Sequence, residues 1–378
     1  MENISNIGNS QHNRPAKVTY ADNSNITYAY DGAGRQISAT DSITGQIFRT
    51  YDDFDRLSSE TNSRGSVSYT YDTAGRRTSM NVMGQTVTNY SYDIANRITQ
   101  ITQGNKSVGF AYDVAGRTTN MTLPNGILAS YTYDAASQLT SIQYTKGLII
   151  LGDLTYTYNQ AGQRIQMGGS LAKANLPGDM VATYDVANRL TQFNARSLSY
   201  DANGNLLNDG NKGMTWNARD QLAGLSTGAS FSYDATGRRL TKSVTGATTG
   251  YMYDGINPVQ EFDGAGTTKA DLLTGGVDQF FARTVNGVVS SFITDALGST
   301  LALTDATGSF ITQYGYEVYG NTTASGAFSD NPFQYTGREN DGTGLYYYRA
   351  RYYDAELSRF VSSDPIGLAG GSQYLYLC

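Results

Sequence analysis

The sequence predicts an all-β fold, a spiralling antiparallel strip of β-hairpins around a hollow interior. Three observations predict it. A short motif returns about every 20 residues along the chain. Each copy alternates with period 2 and then enters a turn, as a strand followed by a hairpin turn does. No stretch of ten residues keeps the i, i+3, i+4 apolar spacing of a helix.

The repeated motif is Tyr-Asp-x-x-Gly-Arg. Its tyrosine falls first at positions separated by steps of 21, 20, 21, 20 and 21 residues (51−30, 71−51 and so on), namely Tyr30, Tyr51, Tyr71, Tyr92, Tyr112 and Tyr133. The spacing then loosens, and six further copies bring the total to twelve, at Tyr158, Tyr184, Tyr200, Trp216, Tyr233 and Tyr253. The four cleanest copies assign structural turn roles to Tyr30, Asp31, Gly34, Arg35, Tyr71, Asp72, Gly75, Arg76, Tyr112, Asp113, Gly116, Arg117, Tyr233, Asp234, Gly237 and Arg238.

Each residue of the motif has a physical reason to be there. In "YTYDTAGR", Tyr69 and Tyr71 face one side of a strand and Thr70 faces the other. Asp72 can accept backbone N–H groups two residues on, and Gly75 supplies a positive φ. Arg76 opens the return strand and can stack on a tyrosine ring or pair with an aspartate. About 20 residues therefore make one hairpin.

Many such hairpins must associate, because one alone is only marginally stable in water. A long strip has to twist and coil. With only 39% hydrophobic residues but 30 tyrosines, both faces cannot be dry. We therefore expect a partly polar concave face and a hollow spiral rather than a filled sandwich. The most apolar run, Gly147 to Leu151, predicts one buried strand.

Composition excludes several function classes. A net charge of −6 and a pI near 4.9 argue against nucleic-acid binding. No run approaches the roughly 20 apolar residues that span a bilayer, and the N-terminus has no secretory signal pattern. Cys378 and His12 are the only residues of their types, which argues against disulfides, cysteine-based metal sites and Ser-His or Cys-His catalysis. We expect no cofactor and no metal.

The "YDxxGR" copies resemble the YD repeats of Rhs proteins, of insecticidal toxin complex C components and of teneurins. The resemblance runs from Val18 to Tyr376 and implies that the strip forms part of a hollow YD-repeat shell with an inward-tucked C-terminal core segment. It divides the chain into a disordered lead-in (1–17), YD repeats (18–258) and a C-terminally truncated Rhs repeat-associated core (259–378).

The C-terminal third carries the most distinctive motifs. "TDALGSTLALTDATG" begins at Thr294, and "NPFQYTGRENDGTGLYYYRARYYDAELSRFVSSDPIGL" begins at Asn331; both are similar to the Rhs-associated core. In that family the core closes the shell and acts as an aspartyl autoprotease. The resemblance implies a catalytic pair of Asp341 and Asp364, with Asp354 as substitute and Arg338 as charge partner.

The residues themselves leave the alternatives open. "LYYYRARYY", from Leu345, predicts one strand with Tyr347, Arg349 and Arg351 on one face. Carboxylates brought close together share a proton, as in aspartic proteases, yet the same aspartates could simply form turns and ion pairs. Where the family has a second "D-P-x-G-L" motif, this chain ends ten residues after Leu368 (378−368). We therefore expect no self-cleavage of the chain as given.

Three functions follow as hypotheses. The first is a shell that encapsulates and delivers a C-terminal toxin, with that cargo and further shell segments or a B-type component as partners. The second is a secreted or surface adhesin that binds glycans through exposed tyrosines such as Tyr69 or Tyr71. The third is an aspartyl autoprotease. Secretion or surface location follows from the resemblance. The strip's first strand, from Val18 to Tyr30, should be an unpaired edge that promotes association.

Overall fold

The computed structural model describes residues 4–9 and 14–365. Within these residues every regular element is a β-strand, apart from one 3₁₀ turn at Tyr335–Gly337. All but one of the strand pairings are antiparallel, and the long sheets follow chain order. The predicted all-β, antiparallel hairpin fold is confirmed.

The first sheet contains sixteen strands in strict chain order. Its strands are β1 (Ile4–Asn9), β2 (Pro15–Tyr20), β3 (Asn25–Tyr30), β4 (Gln36–Asp41), β5 (Gly45–Tyr51), β6 (Leu57–Asn62), β7 (Gly65–Tyr71), β8 (Arg77–Val82), β9 (Thr88–Tyr92), β10 (Ile98–Gln103), β11 (Lys106–Tyr112), β12 (Thr118–Thr122), β13 (Leu128–Tyr133), β14 (Leu139–Lys146), β15 (Ile149–Tyr158) and β16 (Arg164–Gly168).

The second sheet contains thirteen strands, and β17 (Ala174–Asn175), its first strand in chain order, pairs parallel with β33. Its other strands are β23 (Met214–Trp216), β24 (Leu222–Leu225), β25 (Ser230–Tyr233), β26 (Arg239–Val244), β27 (Ala247–Asp254), β28 (Asn257–Phe262), β29 (Thr268–Thr274), β30 (Phe280–Val285), β31 (Val288–Thr294), β32 (Thr300–Thr304), β33 (Phe310–Glu317) and β34 (Thr322–Gly326).

Three small sheets complete the fold. Two lie in the connection between the large sheets and comprise β18 (Ala182–Tyr184), β19 (Leu190–Phe193) and β20 (Arg196–Ser197), then β21 (Ser199–Tyr200) and β22 (Leu206–Asn208). The third is the C-terminal sheet, formed by β35 (Glu339–Asn340), β36 (Leu345–Tyr348), β37 (Arg351–Asp354) and β38 (Arg359–Phe360).

Eleven of the twelve motif copies build the same turn, whereas the copy at Tyr253 closes a two-residue hairpin between Asp254 and Asn257. In the copy at Asp72, the Gly75 N–H donates to the Asp72 carbonyl at 3.0 Å, and the Asp72 N–H donates to the Arg76 carbonyl at 2.9 Å. Gly75 has φ +82°, which only glycine adopts without strain. The preceding Tyr71 sits at a register shift between β7 and β8, and such bulges increase the local twist of the strip.

Neighbouring copies are joined by a ladder of arginine and tyrosine side chains. The Arg97 guanidinium donates to its own Asp93 at 2.7 Å and lies 4.6 Å from the Tyr112 ring of the next copy. The Tyr112 hydroxyl in turn donates to the Ile98 carbonyl at 2.6 Å. This YD ladder recurs where Arg35, Arg56, Arg76, Arg97 and Arg117 lie over Tyr51, Tyr71, Tyr92, Tyr112 and Tyr133.

The expected lead-in and edge strand need correction. Residues 4–9 form β1 and pair with β2, so the expected disorder of residues 1–17 is wrong for residues 4–9 and 15–17. Arg14 lies over the Tyr30 ring at 4.8 Å, which extends the YD ladder by one step. The pairing covers the strand that was expected to be the free edge, and β1 becomes the edge of the first sheet. His12 lies outside the described residues.

The predicted boundary between residues 258 and 259 falls inside β28, in the middle of the second sheet. The same five-residue turn recurs on both sides of it, at residues 234–238, 263–267, 295–299 and 317–321. Tyr316 also keeps the ladder bond, because its hydroxyl donates to the Thr300 carbonyl at 2.5 Å. The structural repeat therefore continues after the sequence motif has faded, and the described sheets show no division at that boundary.

The two large sheets pack face to face. Phe110 from the first sheet is partly buried and packs against a buried cluster that includes Phe281 from the second sheet, and the two rings lie 5.7 Å apart. The Tyr144 hydroxyl donates to the Thr294 carbonyl across the same interface at 2.7 Å. The interior is partly polar, as expected, because buried charged groups such as Glu261 and Arg283 lie among these side chains. Two cavities among the described residues measure about 1090 and about 670 Å³.

The run from Gly147 to Leu151 is not a buried strand, as the sequence predicts, but the tip of the β14–β15 hairpin. Leu148 is fully exposed, and Ile149 and Ile150 are about two-thirds exposed, at 66% and 64%. The tip lies beyond the end of β13, whose first residue pairs with Thr145. The neighbouring strand therefore does not cover it.

We predict that Tyr112→Phe lowers the free energy of unfolding by about 1 kcal/mol, because the hydroxyl bond that ties one copy to the previous one is lost. Urea unfolding followed by circular dichroism measures the change. Tyr184→Phe is the matched control, since Tyr184 is 54% exposed and its hydroxyl has no hydrogen bond among the described residues. Equal effects of the two substitutions would contradict the ladder.

Candidate functional site

The first predicted catalytic aspartate, Asp341, lies in the connection between β35 and β36 and is buried. Its carboxylate is 2.5 Å from the Arg239 guanidinium and 3.0 Å from the Lys242 ammonium. Both cations belong to β26 of the second sheet. Asp341 therefore ties the C-terminal sheet to the repeat strip.

Arg239 is the centre of this group of side chains. Its side chain is fully buried and donates to Glu339 as well as to Asp341. Its guanidinium carbon lies 4.2 Å from the centre of the Tyr347 ring, and its backbone N–H donates to the Tyr347 hydroxyl at 2.9 Å. We call Arg239, Lys242, Glu339, Asp341 and Tyr347 the Arg239 cluster. Two cations balance two carboxylates in it.

The electrostatics of the cluster favour ionised Asp341. Burial alone would raise the pKa of its carboxyl, but the charges of Arg239 and Lys242 outweigh burial and hold the pKa below its usual value. Asp341 is therefore an anion at neutral pH that shares an arginine with Glu339. An acid that shares a proton with a second carboxylate has the opposite electrostatic signature.

The other two predicted acids have partners of their own. Asp354 is fully buried at the end of β37 and lies 3.1 Å from the Lys212 ammonium. It also accepts the N–H groups of Glu356 and Leu357, at 2.9 and 3.0 Å, which is a turn-forming arrangement. Asp364 pairs with Arg351 at 2.9 Å.

Arg338 is not the charge partner of Asp341. It pairs instead with Asp278, at 2.8 Å, and its guanidinium lies 5.0 Å from the Tyr348 ring. Asp278 also binds Arg349, so two arginines of the C-terminal segment converge on the turn between β29 and β30. The reason for the error is distance along the chain. Arg239 and Lys242 precede Asp341 by about 100 residues, and no local sequence pattern indicates that they contact it.

The structure also corrects the local conformation around these residues. "LYYYRARYY" is not one strand but the β36–β37 hairpin, and Arg349 sits in its turn with φ +61°. Glu339 was missed by the sequence interpretation. The alternation of a strand could have indicated it, because residues two apart, such as Glu339 and Asp341, face the same side.

A cavity of about 1090 Å³ lies where repeats and C-terminal segment meet. The repeats contribute Arg238 and Asp234 from one turn, and the C-terminal segment contributes Glu339, Arg349 and residues 362–365. Asp364 thus lines this cavity. The last described residues therefore lie at a cavity with walls of mixed charge.

The tyrosines expected to bind glycans are not exposed. Tyr69 is only 8% exposed, and its hydroxyl donates to Asp254 at 2.9 Å. Tyr71 is half-buried beneath Arg56, whose guanidinium lies 4.6 Å from the ring. Because sugar stacking needs an open ring face, neither residue supports an adhesin function.

Residues 4–9 and 14–365 contain no group of three His, Cys, Asp or Glu side chains arranged to hold a metal ion. Among the same residues there is no helix long and apolar enough to cross a membrane.

Comparison with known proteins identifies the repeat. The sequence model of the family described as Teneurin YD-shell matches residues 9–128 and 127–368. The chain is 34% identical over 224 residues to the "tRNA3(Ser)-specific nuclease WapA" of Bacillus spizizenii, which covers 56% of this chain and 10% of that protein. It is 41% identical over 80 residues to "Toxin subunit YenC1" of Yersinia entomophaga, which covers 20% of this chain and 8% of that protein.

A solved structure shows the same fold. The crystal structure of TcdB2-TccC3 superposes with a TM-score of 0.69 at 17% identity, covering 98% of this chain and 27% of that chain. The chain thus spans about a tenth of the length of these curated relatives and about a quarter of the solved chain.

We predict that Arg239→Met lowers the free energy of unfolding by about 3–5 kcal/mol, because two buried carboxylates lose their shared cation. Urea or thermal unfolding measures the loss. Arg117→Met, in a partly exposed Asp–Arg pair of the repeat, is the control and should cost much less. A cost for Arg239→Met no greater than for Arg117→Met would show that the cluster does not hold the C-terminal sheet.

Proposed function

The chain belongs to the Teneurin YD-shell family, and from that premise we propose that it forms part of a β-shell that encloses and delivers a polypeptide toxin. The cargo would follow the C-terminal segment, as the resemblance to Rhs proteins implies. Further shell segments or a B-type subunit would be its partners, and secretion or surface delivery its route.

One observation carries this proposal. Residues 362–365 line the cavity of about 1090 Å³ that the repeats and the C-terminal segment build together. Pro365 itself is exposed, so a polypeptide that continues from it would start at the mouth of this cavity. The Arg239 cluster fixes the C-terminal sheet against the second sheet, and with it the position of that starting point.

Open sheet edges support the further shell partners. Among the described strands, β1 has a neighbour on one side only, as has β16 at the opposite edge of the first sheet. An unpaired edge strand presents free N–H and C=O groups that can pair with another strand. Strands that continue the hairpin series in a longer shell would satisfy them.

The assignment of Asp341 and Asp364 as a catalytic pair stays a prediction. Asp341 is held by Arg239 and Lys242, and Asp364 pairs with Arg351. The proposed enclosing role does not depend on this chemistry.

Enclosure can be tested by placing a specific protease recognition sequence in place of residues 366–372. The shell function predicts that this site is cut at least roughly tenfold more slowly than the same sequence inserted between Gly147 and Leu148, because cleavage inside must await local opening. Leu148 is fully exposed, which makes that hairpin tip a suitable reference. Equal rates at the two sites in native buffer would contradict enclosure, and equal rates are expected only in denaturant.

A further inference from the structure

A second cavity, of about 670 Å³, lies between the inner face of the first sheet and two turns of the second sheet. Residues of the C-terminal segment close it. Eight of its lining residues are aromatic, among them Phe110, Tyr131, Phe281 and Tyr348, and Arg338 also lines it. Its size and lining are typical of ligand sites, which combine apolar and aromatic walls with a few polar groups.

Asp295 lines this cavity, and no cation of the described residues lies within ion-pair distance of its carboxylate. One of its carboxylate oxygens accepts the N–H groups of Leu297 and Ser299, both at 2.8 Å. Across the described stretches of chain it makes no ion pair, whereas Asp278, the other acid of the cavity, is bound by Arg338 and Arg349. Burial raises the pKa of Asp295, although the N–H groups of Leu297 and Ser299, the Ser299 hydroxyl and the charge of Arg164 all act to lower it.

The same turn holds a guanidinium elsewhere in this chain. In seven copies the aspartate accepts the N–H of the residue four positions on with Oδ1 and the guanidinium of that arginine with Oδ2, at 2.6–2.8 Å, at Asp31, Asp52, Asp72, Asp93, Asp113, Asp185 and Asp234. Asp295 keeps the backbone bond, but the fourth residue is Ser299, which has no side-chain nitrogen. A turn built to bind arginine is thus present without an arginine of its own.

Two further features suit a cation. Aromatic faces attract a guanidinium, as the stacked arginines of the YD ladder show in this same protein. Tyr131 lines the cavity, and its hydroxyl makes no hydrogen bond to the described part of the chain. It can therefore accept one from a bound N–H group. The net charge of −6 would favour the approach of a basic partner.

We propose that this cavity binds the guanidinium group of an arginine side chain carried by a polypeptide other than the repeats. Asp295 supplies the anion, the aromatic walls supply cation–π contact, and Tyr131 supplies a second acceptor. The site is distinct from the Arg239 cluster and does not require the enclosing function proposed above.

The test is calorimetric titration of the chain with N-acetyl-L-arginine amide, which resembles an arginine within a polypeptide. The proposal predicts saturable binding, and no binding of the uncharged isostere N-acetyl-L-citrulline amide. Asp295→Asn should weaken binding by roughly tenfold or more, since a charge-assisted hydrogen bond is lost. The variant keeps the turn, because Asn159 and Asn217 cap the same turn in other copies.

Asp263→Asn is the matched control. Asp263 is an exposed aspartate in the same turn type, also with a hydroxyl residue four positions on, and it does not line this cavity. The Asp263→Asn variant should bind N-acetyl-L-arginine amide with the affinity of the unaltered chain. Thermal unfolding confirms that both variants are folded. Absence of saturable binding, equal binding of citrulline, unchanged affinity in Asp295→Asn or an equal loss in Asp263→Asn would overturn the proposal. Tighter binding of free L-arginine would overturn the polypeptide source and indicate a small molecule.

Discussion

The stability of this fold depends on one repeated contact, the arginine that holds its own turn aspartate while lying over the tyrosine of the next copy. In the copy at Arg97 the carboxylate is 2.7 Å away and the Tyr112 ring 4.6 Å away. Because each arginine joins two hairpins, hairpins that are marginal alone become a continuous sheet. The ladder explains how a chain with only 39% hydrophobic residues can order sixteen strands in sequence.

Beyond Tyr253 a different set of contacts takes over. The turn at Asp295 keeps its backbone geometry but has Ser299 at the arginine position. The C-terminal segment is held by charges that cross from one element to another, with Arg239 and Lys242 on the strip and Glu339 and Asp341 on the segment. Where the turn lacks its arginine, ion pairs between the strip and the C-terminal segment hold the fold together. Both cavities discussed above are lined by residues of this segment.

The sequence predicted what local chemistry determines. Turn geometry, strand direction and period follow from the Tyr-Asp-x-x-Gly-Arg pattern, and they are confirmed. Contacts between residues far apart in the chain could not be predicted from the sequence. Arg239 lies about 100 residues from Asp341, and Arg338 was chosen as the partner of Asp341 because it is near in sequence. Gly147 to Leu151 was judged by composition alone, and its exposure depends on where β13 ends. The positive φ of Arg349 likewise results from tertiary contacts that no local pattern reveals.

A double-mutant cycle tests the ladder most directly. The free energies of unfolding of Arg97→Ala, Tyr112→Leu and the double variant give the coupling between stacked partners, and Arg97→Ala with Tyr133→Leu gives the reference, because Tyr133 is covered by Arg117. The ladder predicts a coupling of about 0.5–1 kcal/mol for Arg97 with Tyr112 and none for Arg97 with Tyr133. Equal couplings, or none for the stacked pair, would contradict the view that arginine joins one hairpin to the next.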